Sequence, residues 1–181
     1  MKVLILNGSN GSPGLDAVID GLKSGMKERN IETTELKLNE MKYSPCRGCF
    51  NCWVKTPGTC VFRDDGDILC RELIKSDMVI AAAPLILGYP AATVKNALDR
   101  IIPLIHPYIE EVDGEAHHRK RYNKYPAMAF MLEKESDTDA EDIEIVKDIF
   151  TRAAINLRSR LAFIKYTDEG IKGVLDEINI C

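Results

Sequence analysis

Short apolar runs alternating with amphipathic stretches constrain this chain more than any other feature. Residues 3–6 (Val-Leu-Ile-Leu), 78–83 (Met-Val-Ile-Ala-Ala-Ala) and 127–132 (Ala-Met-Ala-Phe-Met-Leu) are apolar at every position. Successive side chains of a strand point to opposite faces, so an unbroken apolar run suits a strand covered on both sides. Between the runs, Val18, Ile19, Leu22 and Met26 recur at helical spacing from about Asp16 to a stop at Arg29-Asn30. Residues 67–75, about 91–102 and 140–157 read as helices in the same way. Residues 31–38 alternate apolar with charged or threonine side chains, which predicts a second strand at or near an edge. Residues 160–166 supply a fifth. The third strand is expected to end at Pro84, and residues 108–124 read as a polar stretch.

Strands that alternate with helices pair in parallel through right-handed crossovers. Five such strands in 181 residues predict one α/β domain, a flavodoxin-like three-layer doubly wound parallel sheet of order 2-1-3-4-5, with a cysteine-rich insertion at about residues 39–65. Ligands of such sheets sit beyond the carboxyl ends of the strands, here the loops at 8–15, 84–90 and 133–139. The formal charge of -4 gives no overall attraction for nucleic acid or an anionic surface. No apolar run is long enough to span a bilayer, and residues 3–6 are broken at once by Asn7-Gly8-Ser9, unlike a secretory signal. The expectation is a cytoplasmic protein that binds neither nucleic acid nor membrane. In that reducing compartment, clustered cysteines bind metal or carry redox chemistry rather than form disulfides.

The spacing Cys46-x2-Cys49-x2-Cys52-x7-Cys60 is the most specific motif in the chain. Thiolates placed this closely can wrap a tetrahedral metal or a cubane cluster. Reduced structural thiols, a zinc site and a redox-active dithiol remain open as alternatives on spacing alone. Cys70, within a predicted helix, reads as a small core residue, and Cys181 as a free terminal thiol. Trp53 reads as a cluster shield or a core anchor, and Asp99-Arg100 as a structural ion pair. The basic stretch His117-His118-Arg119-Lys120-Arg121 reads as a solvated loop able to attract phosphates.

The stretch Pro45-Cys46-Arg47-Gly48-Cys49-Phe50-Asn51-Cys52-Trp53, followed by Gly58-Thr59-Cys60 and Asp64-Asp65, resembles the iron-sulfur flavoprotein branch of the NAD(P)H-dependent FMN reductases. Residues 1–9 resemble that family's first strand and phosphate-loop entry. Residues 84–100, with Lys95 and Asp99-Arg100, resemble its flavin loop and following helix. The resemblance implies an FMN-dependent oxidoreductase or electron-transfer flavoprotein, with NAD(P)H or a reduced protein as donor and a small molecule or protein as acceptor. It implies FMN held by Ser9, Asn10, Gly11 and Ser12 at the phosphate and by Pro84, Leu85, Ile86, Leu87 and Gly88 at the ring. It implies a four-iron four-sulfur cluster on Cys46, Cys49, Cys52 and Cys60, no catalytic acid or base, and a homodimer or homotetramer. The chain departs from the family at Gly11, where arginine is usual, at Asp16 in place of threonine, and at Ile86 or Leu87 in place of an aromatic. Its third loop, Glu133-Lys134-Glu135-Ser136-Asp137, is acidic and lacks the family's glycines. These departures carry a second reading, a flavodoxin-like scaffold that has lost flavin and serves as a metal-binding or interaction module.

Overall fold

In the computed structural model, which describes residues 1–180, the chain runs β1 (Lys2–Asn7), α1 (Pro13–Glu28), β2 (Glu32–Lys37), α2 (Asn51–Val54), α3 (Gly66–Lys75), β3 (Met78–Ile86) and β4 (Tyr89–Pro90). It continues through α4 (Ala92–Arg100), β5 (Ile105–Val112), β6 (Glu115–Lys120), β7 (Ala127–Glu133), α5 (Ala140–Asn156), β8 (Leu161–Tyr166) and α6 (Ile171–Ile180). Cys181 lies outside the described residues. Five strands form one parallel sheet, β2-β1-β3-β7-β8, which is the predicted order 2-1-3-4-5 when those strands are counted alone.

Side chains alternate across each strand, so the apolar runs divide between two cores. Val3, Ile5, Ile80 and Met131 pack with Leu15, Ile19, Leu22 and Met26 of α1 and with Val174 and Ile178 of α6. Leu4, Leu6, Val79 and Phe130 pack with Leu69 and Leu73 of α3, Val94 and Ala97 of α4, and Val146 and Phe150 of α5. Burying a side chain of this size contributes about 1.5–3 kcal/mol, which drives β1, β3 and β7 to the centre. β2 has no fully buried residue and forms an edge. Among the described residues, no helix is long and apolar enough to cross a membrane.

Several elements differ from expectation for identifiable reasons. α1 starts at Pro13 rather than near Asp16. Ser12 caps it, its Oγ accepting the Leu15 N–H at 3.4 Å, and proline suits a first turn whose N–H groups have no helical partner. β3 continues through Pro84 to Ile86: pairing with β1 ends at Ala82, so the proline sits where only β7 is a neighbour. The strand then turns at Leu87-Gly88 and pairs back onto β4. The polar stretch at 108–124 is largely taken up by the hairpin β5-β6, which begins at Ile105. Its turn, Asp113-Gly114, holds both residues at positive φ (54° and 81°), the two-residue signature of a tight hairpin. His117 lies on β6 and is 6% exposed, so the basic stretch is not a solvated loop, although Arg119 and Lys120 face solvent. α6 has no counterpart among the predicted elements.

Candidate cofactor site

The crossover after β1 runs through α1 on one face of the sheet, and the one after β3 runs through α4 on the other. β1 and β3 are adjacent, so their carboxyl-end loops part around a topological switch point. In the first loop, Gly8 N–H donates to the Ala82 carbonyl at 2.8 Å. Ser9 is buried, and its N–H donates to Asn7 Oδ1 at 2.9 Å. Asn10 and Gly11, both at positive φ (53° and 84°), stay exposed at the positive end of α1. In the second loop Leu85 is buried, while Ile86 and Leu87 project into solvent. The first loop approaches the start of α4, where Thr93 Oγ1, buried without a hydrogen-bond partner, lies 3.1 Å from the point that a Cβ on Gly8 would occupy.

The third loop reaches both of the others. Ser12 Oγ donates to Glu133 Oε2 at 2.6 Å, and the N–H groups of Leu87 and Gly88 donate to the Glu135 carboxylate at 2.8 and 2.9 Å. The donors therefore suit an anionic, oxygen-rich ligand such as FMN: a carboxylate already rests at the entrance to α1, where a phosphate would be favoured. Sequence reasoning placed this loop correctly but gave its carboxylates no contacts.

The cysteine segment is held differently. Cys46 and Cys49 are exposed, Cys52 is buried on α2 and Cys60 is half-buried. All four line one pocket, with Arg100 and Pro103 in its wall. Asp64 accepts the N–H groups of Ser44 (3.1 Å) and Gly66 (3.0 Å) and both terminal nitrogens of Arg100 (3.1 and 2.6 Å). Arg100, 2% exposed, also donates to the Ser44 carbonyl at 2.7 Å. Burial pushes the Asp64 carboxyl up, but these donors outweigh it and hold it below the usual aspartate value. A Cβ on Gly66 would fall inside contact distance of the guanidinium, so this approach requires glycine. Asp65 adds a second tie, accepting the Lys42 N–H at 2.6 Å. Asp99 instead pairs with Lys95 at 2.5 Å.

Burial pushes the Cys52 thiol up, and Cys60, Cys46 and Cys49 push it further. A nucleophilic dithiol requires the opposite shift. Cys70 is pushed up to about 12 by burial and donates to the Arg100 carbonyl at 3.4 Å, the behaviour of an inert core thiol. Among the described residues, no three His, Cys, Asp or Glu side chains are grouped so as to hold a single metal ion. A second cleft shares Cys46 and Gly48 with the cysteine pocket and extends past Lys95 and His118 to Tyr89, beside the ring loop.

A doubly wound parallel sheet with its loops opening at the β1/β3 switch point defines a flavodoxin-like protein. The chain belongs to the NADPH-dependent FMN reductase family, whose sequence pattern matches residues 1–135. It is 35% identical over 97 residues to an iron-sulfur flavoprotein of Archaeoglobus fulgidus, covering 54% of this chain and 41% of that one. It is 29% identical over 103 residues to an iron-sulfur flavoprotein of Methanosarcina thermophila, covering 55% and 53%. The chain thus spans about half the length of the curated relatives it matches. Its fold is similar to that of an FMN-dependent NADH-azoreductase from Bacillus anthracis str. Ames Ancestor in complex with FMN, with a TM-score of 0.66, 13% identity, and coverage of 99% of this chain and 97% of that one. At that identity the likeness speaks for the fold alone.

Proposed function

We propose that the chain is an FMN-dependent oxidoreductase that moves electrons between NAD(P)H or a reduced protein donor and a small-molecule or protein acceptor, with a four-iron four-sulfur cluster on Cys46, Cys49, Cys52 and Cys60. The observation that carries this reading is the cleft joining Cys46 to Tyr89 along α4. Helix α4 has nine residues, about 13 Å at 1.5 Å per residue, so the two cofactor sites stand one short helix apart. FMN, when bound, supplies acceptance of two electrons from a nicotinamide and their release singly. Ser9, Asn10, Gly11 and Ser12 would hold its phosphate at the positive end of α1. Pro84, Leu85, Ile86, Leu87 and Gly88 would offer the ring an apolar turn, and no side chain need act as acid or base.

The relatives' designation as iron-sulfur flavoproteins supports the same pair of cofactors. A cubane bonds each thiolate to a different iron, so sulfurs arranged around a cavity suit it better than a single ion, which draws its ligands to one point. Loading must deprotonate Cys52 against its raised pKa and so releases protons. In this reading the protein is cytoplasmic, one domain with the cysteine-bearing insertion at 39–65. Exposed Ile86, Leu87, Tyr108 and Ile109 support a homodimer or homotetramer.

Protein purified without oxygen is expected to show flavin bands, a broad visible shoulder, and iron with acid-labile sulfide. Cys49→Ser should lose the iron and sulfide while keeping the fold and the flavin. Full iron and sulfide in that variant would overturn the cluster, and colourless wild-type protein that refuses added FMN would overturn the flavin.

A further inference from the structure

Glu133 is the last residue of β7 and accepts the Ser12 hydroxyl at 2.6 Å through Oε2. Its Oε1 lies 2.8 Å from the point that a Cβ on Gly14 would occupy, so the carboxylate rests against the first turn of α1, where glycine leaves room for it. Glu135 grips the other loop, with one oxygen on the Leu87 N–H at 2.8 Å and the other on the Gly88 N–H at 2.9 Å. These two amides hold its carboxyl below the usual glutamate value. Thr138 sets the Glu135 backbone for this grip by accepting its N–H at 2.9 Å, and Asp139 caps α5 immediately afterwards. Ser12, Leu87 and Gly88 are among the residues assigned above to the flavin. One loop of the chain therefore engages donors at the phosphate end and the ring end together.

We propose that Glu133 and Glu135 form an internal latch on the cofactor cleft and set its flavin affinity, with Glu133 weighing specifically against a phosphorylated flavin. The inference rests on the flavin reading above. A phosphate brought to Ser12 enters the space of the Glu133 carboxylate, and like charges in contact repel. Riboflavin, which has no phosphate, escapes that repulsion. Glu135 acts at the ring end, where FMN and riboflavin are alike, and so opposes both equally. Only the fraction of molecules with the latch open binds, and apparent affinity falls by that fraction.

The test is fluorescence titration of the full chain, freed of flavin, with FMN and with riboflavin. Glu133→Gln removes the charge while keeping the side chain's size, and is expected to tighten FMN by about tenfold or more with a smaller change for riboflavin. Glu135→Gln can accept from only one of the two amides and is expected to tighten both flavins by a similar factor. Wild-type protein that binds neither flavin while the variants bind FMN would also support the latch, as a latch that is firmly closed. If wild type binds FMN and both variants bind it equally well or more weakly, the latch is wrong and the flavin reading stands. If no form binds either flavin, both fall together.

Discussion

At the centre of the sheet, residues 78–82 are at most 1% exposed and are paired in register with β1 on one side and β7 on the other. Residues 41–50, which carry two of the four cysteines, contain no helix or strand and are largely exposed. The sheet draws its order from apolar area and a backbone ladder spread over many residues. The cysteine segment draws its order from a few polar ties: those that Asp64, Asp65 and Arg100 make to residues 42 and 44, and the Trp53 Nε1–H that reaches out to the Ile102 and Ile105 carbonyls. Its shape should therefore be removable without touching a cysteine, whereas no single polar group governs the sheet.

Arg100→Ala is expected to separate the two regions most widely. It leaves Asp64 without its cation and the Ser44 carbonyl without its donor. Deleting one member of a buried pair costs about 3 kcal/mol or more. Chemical denaturation should show a loss of that order, and the thiols of Cys52 and Cys60 should react faster with a disulfide reagent while the far-ultraviolet spectrum is unchanged. Thiol reactivity equal to wild type would mean that the segment holds itself.

Acid should act on the same tie more gently. Asp64 titrates below the usual aspartate value in the folded protein, so it adds stability that is complete above an unfolded pKa of about 3.9 and is lost as pH falls through the lower folded value. Glu72 and Asp77, at the amino-terminal edge of the sheet, are also held low, by Lys2 and Lys124, so acid strains both regions. Asp64→Asn distinguishes them. Below about pH 4, hydrogen exchange at residues 42–46 should accelerate in the wild type, and the variant should show no such acid step because its segment is already loosened at neutral pH. An acid step of wild-type size in the variant would assign the effect to the sheet edge.

The sequence was legible where the physics is local. Unbroken apolar runs identified β1, β3 and β7, and mixed polarity marked β2 as an edge, because burial on both faces leaves no other composition. The β5-β6 hairpin was hidden because Glu110, Glu111, Glu115 and Arg119 blur its alternation. The Asp113-Gly114 pair was the signal that could have found it. Cysteine spacing spoke for the ligand type but not for what shapes the segment. Asp64 and Arg100 are 36 positions apart, Ser12 and Glu133 are 121, and Leu87 and Glu135 are 48. Nothing in the local pattern of either partner names the other, and only the closed fold brings them together.

The smallest expected effect tests whether a tie of the same kind works without charge. Trp53 stacks on Phe50 with centroids 5.2 Å apart and tilts against His118 at 5.1 Å, while its Nε1–H donates to the carbonyls of Ile102 (3.3 Å) and Ile105 (3.0 Å). This joins α2, which carries Cys52, to the connection between α4 and β5. Trp53→Phe keeps an aromatic ring to stack, deletes the donor and trims the ring, for a loss of about 1 kcal/mol or somewhat more in denaturation. If the bond is what ties the helix down, Cys52 should also become modestly more reactive. If stability and reactivity both stay at wild-type values, ring packing alone holds α2, and the contrast between sheet and segment narrows to the one buried ion pair at Arg100.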